Sequence, residues 1–270
     1  MKYRFISDSH THSECSFDGS DSISMMCEHA MEMGLYSITV TDHCECNEYY
    51  QNNVRSDIER SVTGISKARA MYLDKLKIYK GIELGQPTQD VQAAQDVLSL
   101  TDYDFVLGSL HNLKNERDFY FLDYTDENVP ELLDRYFDEL LELAEQDLFD
   151  SLAHFDYPFR YIIGNAKIIP DRKKYLEKTD AVLKVLIRNN KAIEINTSGL
   201  RQEIRRTLPD IGIINRYREL GGKYVTLGSD AHRWGDIGSG IENGLDMLLK
   251  CGFTHFTVYE KRSPILLPIY

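Results

Sequence analysis

The sequence predicts an α/β fold in which a parallel sheet closes into a barrel. Three observations predict it. Short β-branched or apolar runs alternate with longer amphipathic ones seven or eight times; no Pro/Gly/Ser-rich linker or low-complexity tract divides them; and 270 residues suffice for one such domain with a substantial core. The expectation is a single domain over residues 1–270.

The elements follow in order. YRFIS (3–7) reads as the first strand, 22–33 as a helix, and SITVT (37–41) as the second strand, followed by a helix over 56–73. KIYKGIEL (77–84) and DFVLGSL (104–110) are the third and fourth strands. The clearest helix is 129–146, where Leu132, Leu133, Tyr136, Phe137, Leu140, Leu141 and Leu143 recur at three and four, with Pro130 where a first-turn proline is tolerated. FDSLAH (149–154), a helix over 173–189, AIEIN (192–196), a helix over 209–220, YVTLGS (224–229) and a helix over 240–250 continue the alternation. HFTVY (255–259) is a weaker eighth strand. The tail KRSPILLPIY is apolar enough to pack on the barrel or on a neighbour.

Composition narrows the function classes. Apolar content of 42% and charged content of 27% suit a folded globular protein. A formal net charge of −12 argues against nucleic-acid and anionic-membrane binding, which need basic surfaces. No apolar run approaches the roughly 20 residues that cross a bilayer, and the N-terminus lacks a signal-peptide pattern. Five cysteines without framework spacing suit reduced thiols, so the expected compartment is the cytoplasm; the CxC of Cys44 and Cys46 lacks a second pair and reads as thiols rather than a zinc site.

Barrel chemistry gathers at the C-terminal ends of the strands. Those exits carry Ser9-His10-Thr11-His12, Thr41-Asp42-His43, Gly81-Ile82-Glu83-Leu84-Gly85, Ser109-Leu110-His111, Ala153-His154 and Gly228-Ser229-Asp230-Ala231-His232. Six of the eight histidines therefore stand at strand exits, beside Glu83 and Asp230. Residues two apart on an extended segment point the same way, so His10 with His12, and Asp230 with His232, face the mouth together. Imidazoles and carboxylates are the ligand set of zinc, manganese and iron, and a glutamate can bridge two ions. His29, mid-helix, and His255, on the weak last strand, read as structural or surface residues. Asp8, Ser9 and Asp42 read as groups that orient neighbouring histidines. Asp156 is either such a group or a substrate contact, and Glu45, Glu48, Tyr49 and Tyr50 read as a solvated loop near the mouth.

The set HTH…DG, TDH, GIELG, SLH, AHFD and GSDAH resembles the polymerase and histidinol phosphatase (PHP) superfamily of metal-dependent phosphoesterases, from residue 5 to about residue 235. NTSGLR at 196–201 is similar to its histidinol-phosphate phosphatase branch. The resemblance implies a distorted, TIM-like, seven-stranded β/α barrel with three divalent metal ions. It implies His10, His12, Glu83 and Asp230 around the first ion, and Glu83, His111 and His154 around the second. Asp18, His43 and His232 would surround the third, with Asp21 and Glu14 competing for the place of Asp18.

Six positive charges on three ions against three from Asp18, Glu83 and Asp230 would leave about three, enough to attract a phosphate dianion despite the acidic surface. Water activated by such a cluster attacks phosphorus in line, with Asp230 or His232 as proton relays to the leaving alkoxide. Arg160, in HFDYPFR, and Arg201, in NTSGLR, follow strand exits and supply planar donors for phosphate; Arg117, Arg205, Arg206 and Arg233 are rivals. The resemblance implies hydrolysis of L-histidinol phosphate, a small-molecule monoester, in histidine biosynthesis. The alternatives are another PHP phosphoesterase acting on nucleotide, oligonucleotide or sugar phosphates, an amidohydrolase-type enzyme, and a non-catalytic metal-binding domain. Amidohydrolases commonly bridge their metals with a lysine on the fourth strand, where this chain has His111.

Overall fold

The strand that opens the ring starts later than the apolar run suggests. In the computed structural model, which describes residues 2–270, β1 is Ser7–Thr11 and not 3–7. Tyr3 and Ile6 are buried, but the ladder belongs to the polar SDSHT, all of it buried. A polar strand is tolerated because its groups find partners. Asp8 accepts the backbone N–H groups of Ser229 and Gly238, each at 2.8 Å, and the Thr11 hydroxyl donates to the Thr39 carbonyl at 2.9 Å.

The chain then alternates as α1 (Ile23–Glu32), β2 (Ser37–Val40), β3 (His43–Glu45), α2 (Val54–Met71), β4 (Lys77–Gly85), α3 (Val91–Leu98), β5 (Phe105–Ser109) and α4 (Val129–Glu145). It continues as β6 (Ser151–Leu152), α5 (Phe159–Ile162), α6 (Leu176–Arg188), β7 (Ala192–Asn196), α7 (Ile211–Glu219), β8 (Val225–Gly228) and α8 (Ile241–Lys250). α3 and α5 are additions to the expected elements; both are short, and α3 is nucleated by the Asp90 side chain accepting the Ala93 N–H at 2.9 Å. In α4 the expected seam holds, with Leu133, Tyr136, Phe137, Leu140 and Leu143 buried and Leu132 and Leu141 half-buried.

The strands run in the order β1-β2-β4-β5-β6-β7-β8, all parallel. β3 extends the β2 position along β4, pairing His43 with Glu83 and Glu45 with Gly85. The ring nearly closes where β1 meets the segment after β8: Asp230 N–H donates to the His10 carbonyl at 2.9 Å, and His12 N–H to the Ala231 carbonyl at 2.8 Å. This is the seven-position barrel the sequence led us to expect.

The eighth strand does not join it. β9 (His255–Glu260) forms an antiparallel hairpin with β10 (Ser263–Pro268), built from the apolar tail. The hairpin packs on the barrel end opposite the histidines. Arg262 donates to Asp150, just ahead of β6, at 2.5 Å, and the Tyr259 ring stacks on Phe105, the first residue of β5, at 5.2 Å. Among the described residues all five cysteines are unpaired and buried, and no helix is long and apolar enough to cross a membrane.

Gly108 on β5 tests the packing of that strand against the segment that leads into β6. A Cβ there would lie 2.7 Å from the Phe149 ring. Gly108→Ala is expected to cost about 1–3 kcal/mol through overpacking, read from urea unfolding.

Candidate metal centre

At the C-terminal rim the strand exits place their side chains around one buried carboxylate. Glu83 is fully buried on β4. Its Oε1 lies 3.1 Å from His111 Nε2 and 2.9 Å from His154 Nε2; its Oε2 lies 3.3, 3.5 and 3.0 Å from His10 Nε2, His12 Nε2 and His43 Nδ1. Asp230 Oδ1 is 3.7 Å from His10 Nε2 and 3.5 Å from His12 Nε2. Asp230 has φ +54°, a left-handed conformation unusual for a non-glycine residue, which turns its carboxylate into the ring.

The third expected group also assembles. Asp18 lies 3.0 Å from His232 Nε2 and 3.6 Å from His43 Nε2. Its rivals are elsewhere: the Asp21 carboxylate accepts the Trp234 N–H, and Glu14 is exposed, with its carbonyl bonded to Arg60. Three overlapping groups have ligand atoms within 4.8 Å of one another: His10/His12/Glu83, His43/Glu83/His111 and His12/His43/His232. His43 belongs to two of them, with Nδ1 toward Glu83 and Nε2 toward Asp18.

The ring nitrogens are oriented from behind. His10 Nδ1 donates to Glu194 at 2.7 Å, His232 Nδ1 to the Asp230 carbonyl at 3.1 Å, His12 Nδ1 to Ser16 Oγ at 3.2 Å and His111 Nδ1 to Glu45 at 3.0 Å. In each of these rings, once neutral, Nε2 carries the lone pair and faces the centre. Asp42 acts one step further back. Its two oxygens take the hydroxyls of Ser13, Ser16 and Ser61, so it fixes the Ser16 that meets His12 and accepts the His43 backbone N–H.

These residues fit a cation. His10 Nε2, His12 Nε2, His43 Nδ1 and Glu83 Oε2 are buried and have no hydrogen-bond partner, although they approach one another within 3.5 Å. Each such orphan costs about 1–3 kcal/mol, and divalent ions among them would satisfy His10 Nε2, His12 Nε2 and Glu83 Oε2. Protons partly serve that purpose in the metal-free chain. Burial pulls His10 down, but Glu194, Glu83 and Asp230 outweigh it and hold the imidazole well above its ordinary pKa. Burial also opposes charge on His111, yet Glu45 and Glu83 push it up to about 10. His12, driven down by burial and then by the neighbouring His43 and His232, lies well below its ordinary value. Glu83 stays ionised: burial raises it, and His10, His111 and His43 more than reverse that.

Two carboxylates here were misread or missed in the sequence. Glu45 is not a solvated loop residue; it extends β3 and braces His111. Glu194, buried on β7, holds His10 and accepts the His154 backbone N–H at 2.8 Å. The signal for Glu194 was a charge flanked by Ile193 and Ile195 in the middle of a strand. Asp156 does not line the cavity and touches no rim histidine. It is fully buried and takes Arg172 at 2.9 Å and Arg206 at 3.1 Å. His29 meets Trp234, and His255 is exposed; neither approaches the rim.

A cavity of about 820 Å³ opens over the cluster, lined among others by Asp18, His43, Glu83, His111, His154, Asp230 and His232. Of the two expected phosphate clamps the structure brings one to it. Arg160 lines the cavity and donates from Nη2 to Asp230 Oδ2 at 3.0 Å and to Ser198 Oγ at 2.9 Å. Arg201 does not line it; its guanidinium turns behind Asp230 to the Ser229 carbonyl at 2.9 Å and toward Asp236. Arg117, a rival, is at the cavity, and Arg206 is tied up with Asp156 and Asp210. No lysine lines the cavity among the described residues, against an amidohydrolase-type bridge.

The chain has counterparts among known proteins. Residues 8–198 match the family described as PHP domain. The chain is 31% identical to a probable histidinol-phosphatase of Thermotoga maritima, covering 94% of this chain and 96% of that protein. It is also 31% identical to one of Clostridium acetobutylicum, over 95% and 98%. Its fold is similar to the crystal structure of histidinol phosphate phosphatase from Lactococcus lactis complexed with zinc, L-histidinol and phosphate, with a TM-score of 0.78, 22% identity and coverage of 96% and 98%.

Proposed function

The chain belongs to the PHP domain family, and from that premise we propose that it is a metal-dependent phosphatase that hydrolyses L-histidinol phosphate to L-histidinol and phosphate in histidine biosynthesis. The observation that carries the reading is the approach of five imidazoles to the buried Glu83, with Arg160 held beside Asp230 at the same cavity. Residues 1–270 act as one domain. His10, His12, Glu83 and Asp230 would hold one ion, Glu83, His111 and His154 a second, and Asp18, His43 and His232 a third; zinc, manganese and iron all suit such donors. Held by these residues, divalent ions would supply a water acidified from a pKa of about 15.7 to about 7 and positive charge for the phosphoryl oxygens.

The chain's own groups do the rest. Arg160 is anchored through Nη2 to Asp230 and Ser198 at the cavity wall, which leaves Nη1 to donate to the phosphate. Asp230 is held ionised by His10, His12 and Arg160 against the effect of burial, so it accepts protons and does not donate them. Asp18 and His232 form the most solvent-exposed part of the cluster, 40% and 29% exposed. There the leaving alkoxide takes its proton from water.

The rest of the cavity suits an organic leaving group that is flat and positive. Tyr157 packs 4.8 Å from His154, its hydroxyl meets Tyr161 at 3.0 Å, and Tyr120 stands edge-on to Tyr161 at 5.9 Å. Phe17 stacks on the His43 ring at 5.0 Å from another segment, although 79% exposed. Phe17 and Tyr120 are exposed aromatics at the mouth of a cavity, a mark of ligand grooves. Asp118 lines the same cavity, accepts the Tyr120 N–H and has no basic partner among the described residues. A charge-assisted contact of its carboxylate with the substrate ammonium is worth about 1.5–3 kcal/mol. Asp118→Asn should therefore lower kcat/KM for histidinol phosphate about 10- to 100-fold relative to phenyl phosphate; an unchanged ratio would remove Asp118 from recognition.

The test of the function is phosphate release by the zinc- or manganese-loaded protein from histidinol phosphate, glycerol phosphate and a nucleoside monophosphate. Histidinol phosphate should be preferred by orders of magnitude. Preference for the nucleotide would replace the substrate assignment, and turnover of none would refute the enzyme.

A further inference from the structure

We infer that Glu45 is a positioning residue for two separate parts of the metal centre, acting through a hydrogen bond to the rear nitrogen of His111 and a charge contact with that of His43. The inference rests on the metal-binding reading above.

Its basis is register. In β3, His43 and Glu45 are two apart and share a face, while the intervening Cys44 is fully buried in the core. Their partners on β4 are Glu83 and Gly85, so Glu45 stands one step beyond His43 along the same rim. Gly85 is what lets it reach inward. A Cβ at that position would lie 2.4 Å from Glu45 Oε2, so any larger residue would evict the carboxylate. The placement is thus written into both strands.

The contacts are specific. Glu45 Oε1 is 3.0 Å from His111 Nδ1 and 3.4 Å from His43 Nδ1. Oε2 accepts from Gln86 Nε2 at 2.5 Å, and the Oε1 of the same Gln86 accepts the His111 backbone N–H at 3.0 Å. Gln86 therefore braces the carboxylate and the backbone of the histidine it holds. With its Nδ1 proton engaged by Glu45, His111 presents the Nε2 lone pair toward Glu83 and His154. His43 has no other carboxylate on that side except Glu83, 3.0 Å from the same nitrogen. One side chain thus sits behind a histidine proposed for the second ion and a histidine proposed for the third.

A residue in a simple ion pair and a positioning residue differ in what their loss changes. Loss of an ion pair lowers stability and leaves the ions' affinities unequal only by chance. Loss of a brace frees the His111 ring to adopt either tautomer and weakens two metal positions together, by about 10- to 100-fold as for other groups that hold ligand histidines. His10 and His12 are held by Glu194 and Ser16 instead, so the remaining position is spared.

The experiment titrates metal-free wild type, Glu45→Gln and Glu45→Ala with Zn²⁺ against a competing chelator, and records ¹⁵N imidazole spectra of the zinc-loaded proteins. We expect one site of wild-type affinity and two weakened about 10- to 100-fold in Glu45→Ala. Glu45→Gln, which keeps an acceptor oxygen, should be intermediate, and zinc-loaded His111 should change from coordination through Nε2 alone to a mixture of Nε2 and Nδ1 in Glu45→Ala. Wild-type stoichiometry and affinity in both folded variants would overturn the inference while leaving metal binding intact. If Glu45→Ala does not fold, the isosteric Glu45→Gln decides alone. A wild-type protein that binds no zinc would instead refute the reading on which the inference rests.

Discussion

Glu83→Gln is expected to lower kcat/KM for histidinol phosphate by about 10³-fold or more, on the scale of losing a central source of transition-state charge stabilisation. The volume of the side chain is preserved and its position on β4 is buried, so the fold has no steric reason to fail. What changes is charge. The carboxylate faces His10, His12 and His43 with one oxygen and His111 and His154 with the other. An amide puts a donor against one of those sets and bridges nothing. Metal content by atomic absorption should fall with activity; full metal occupancy with full turnover would sink the assignment of Glu83.

The same substitution has a signature in the metal-free protein. His10, His43 and His111 have raised pKa values in the folded chain, His111 to about 10, burial opposing and the carboxylates around them prevailing. A raised histidine contributes stability that is fully present below its unfolded value near 6.5 and is lost as pH rises toward the folded one. Metal-free wild type should therefore lose stability between about pH 6.5 and 10, and Glu83→Gln should show a shallower decline. Melting temperatures across that range measure it. Metal uptake needs the same imidazoles neutral, so it should release protons at neutral pH.

Most of the barrel was legible in the sequence because buried parallel strands announce themselves. SITV, FVLGS and AIEIN are short runs between amphipathic helices, and their boundaries fell within a residue or two. The first strand was misplaced because the apolar YRFI looks more like a strand than SDSHT does. Only the contacts of Asp8 with Ser229 and Gly238, more than 200 residues away, make that polar segment a good one. The last strand was misassigned for a related reason. HFTVY has strand composition, but composition says nothing about whether its neighbour is β8 or the tail.

The site divides the same way. Residues at strand exits were readable because position along a barrel strand predicts where a side chain points. Glu45 was not, because β3 has only three residues and lies within what reads as a polar loop. The sequence showed its charge but not the glycine opposite it. Arginines were least readable of all. A long flexible side chain after a strand exit has many places to go, and spacing does not choose among them.

Arg160 and Arg201 show how much that choice matters, and they should separate cleanly by mutation. Arg160→Ala is expected to reduce kcat/KM for histidinol phosphate by about 10²-fold or more, because it removes cavity-facing donors and also frees Asp230 Oδ2. Arg201 has the opposite geometry. It meets no cavity space and instead supports the backbone of Ser229 and Asp230 from behind. Arg201→Ala should act through the left-handed turn at Asp230, lowering metal affinity and stability, with KM changing less than kcat. Arg201→Lys should restore little of this, since a point charge does not reproduce a guanidinium directed at both the Ser229 carbonyl and Asp236. Product inhibition adds an independent reading. Inorganic phosphate should bind Arg160→Ala about 10-fold or more weaker than wild type and Arg201→Ala nearly as well as wild type once both are saturated with metal. Equal loss of phosphate affinity in the two variants would mean that Arg201 leaves its backbone partners and enters the cavity when substrate arrives, and the sequence-based pair of clamps would then be restored.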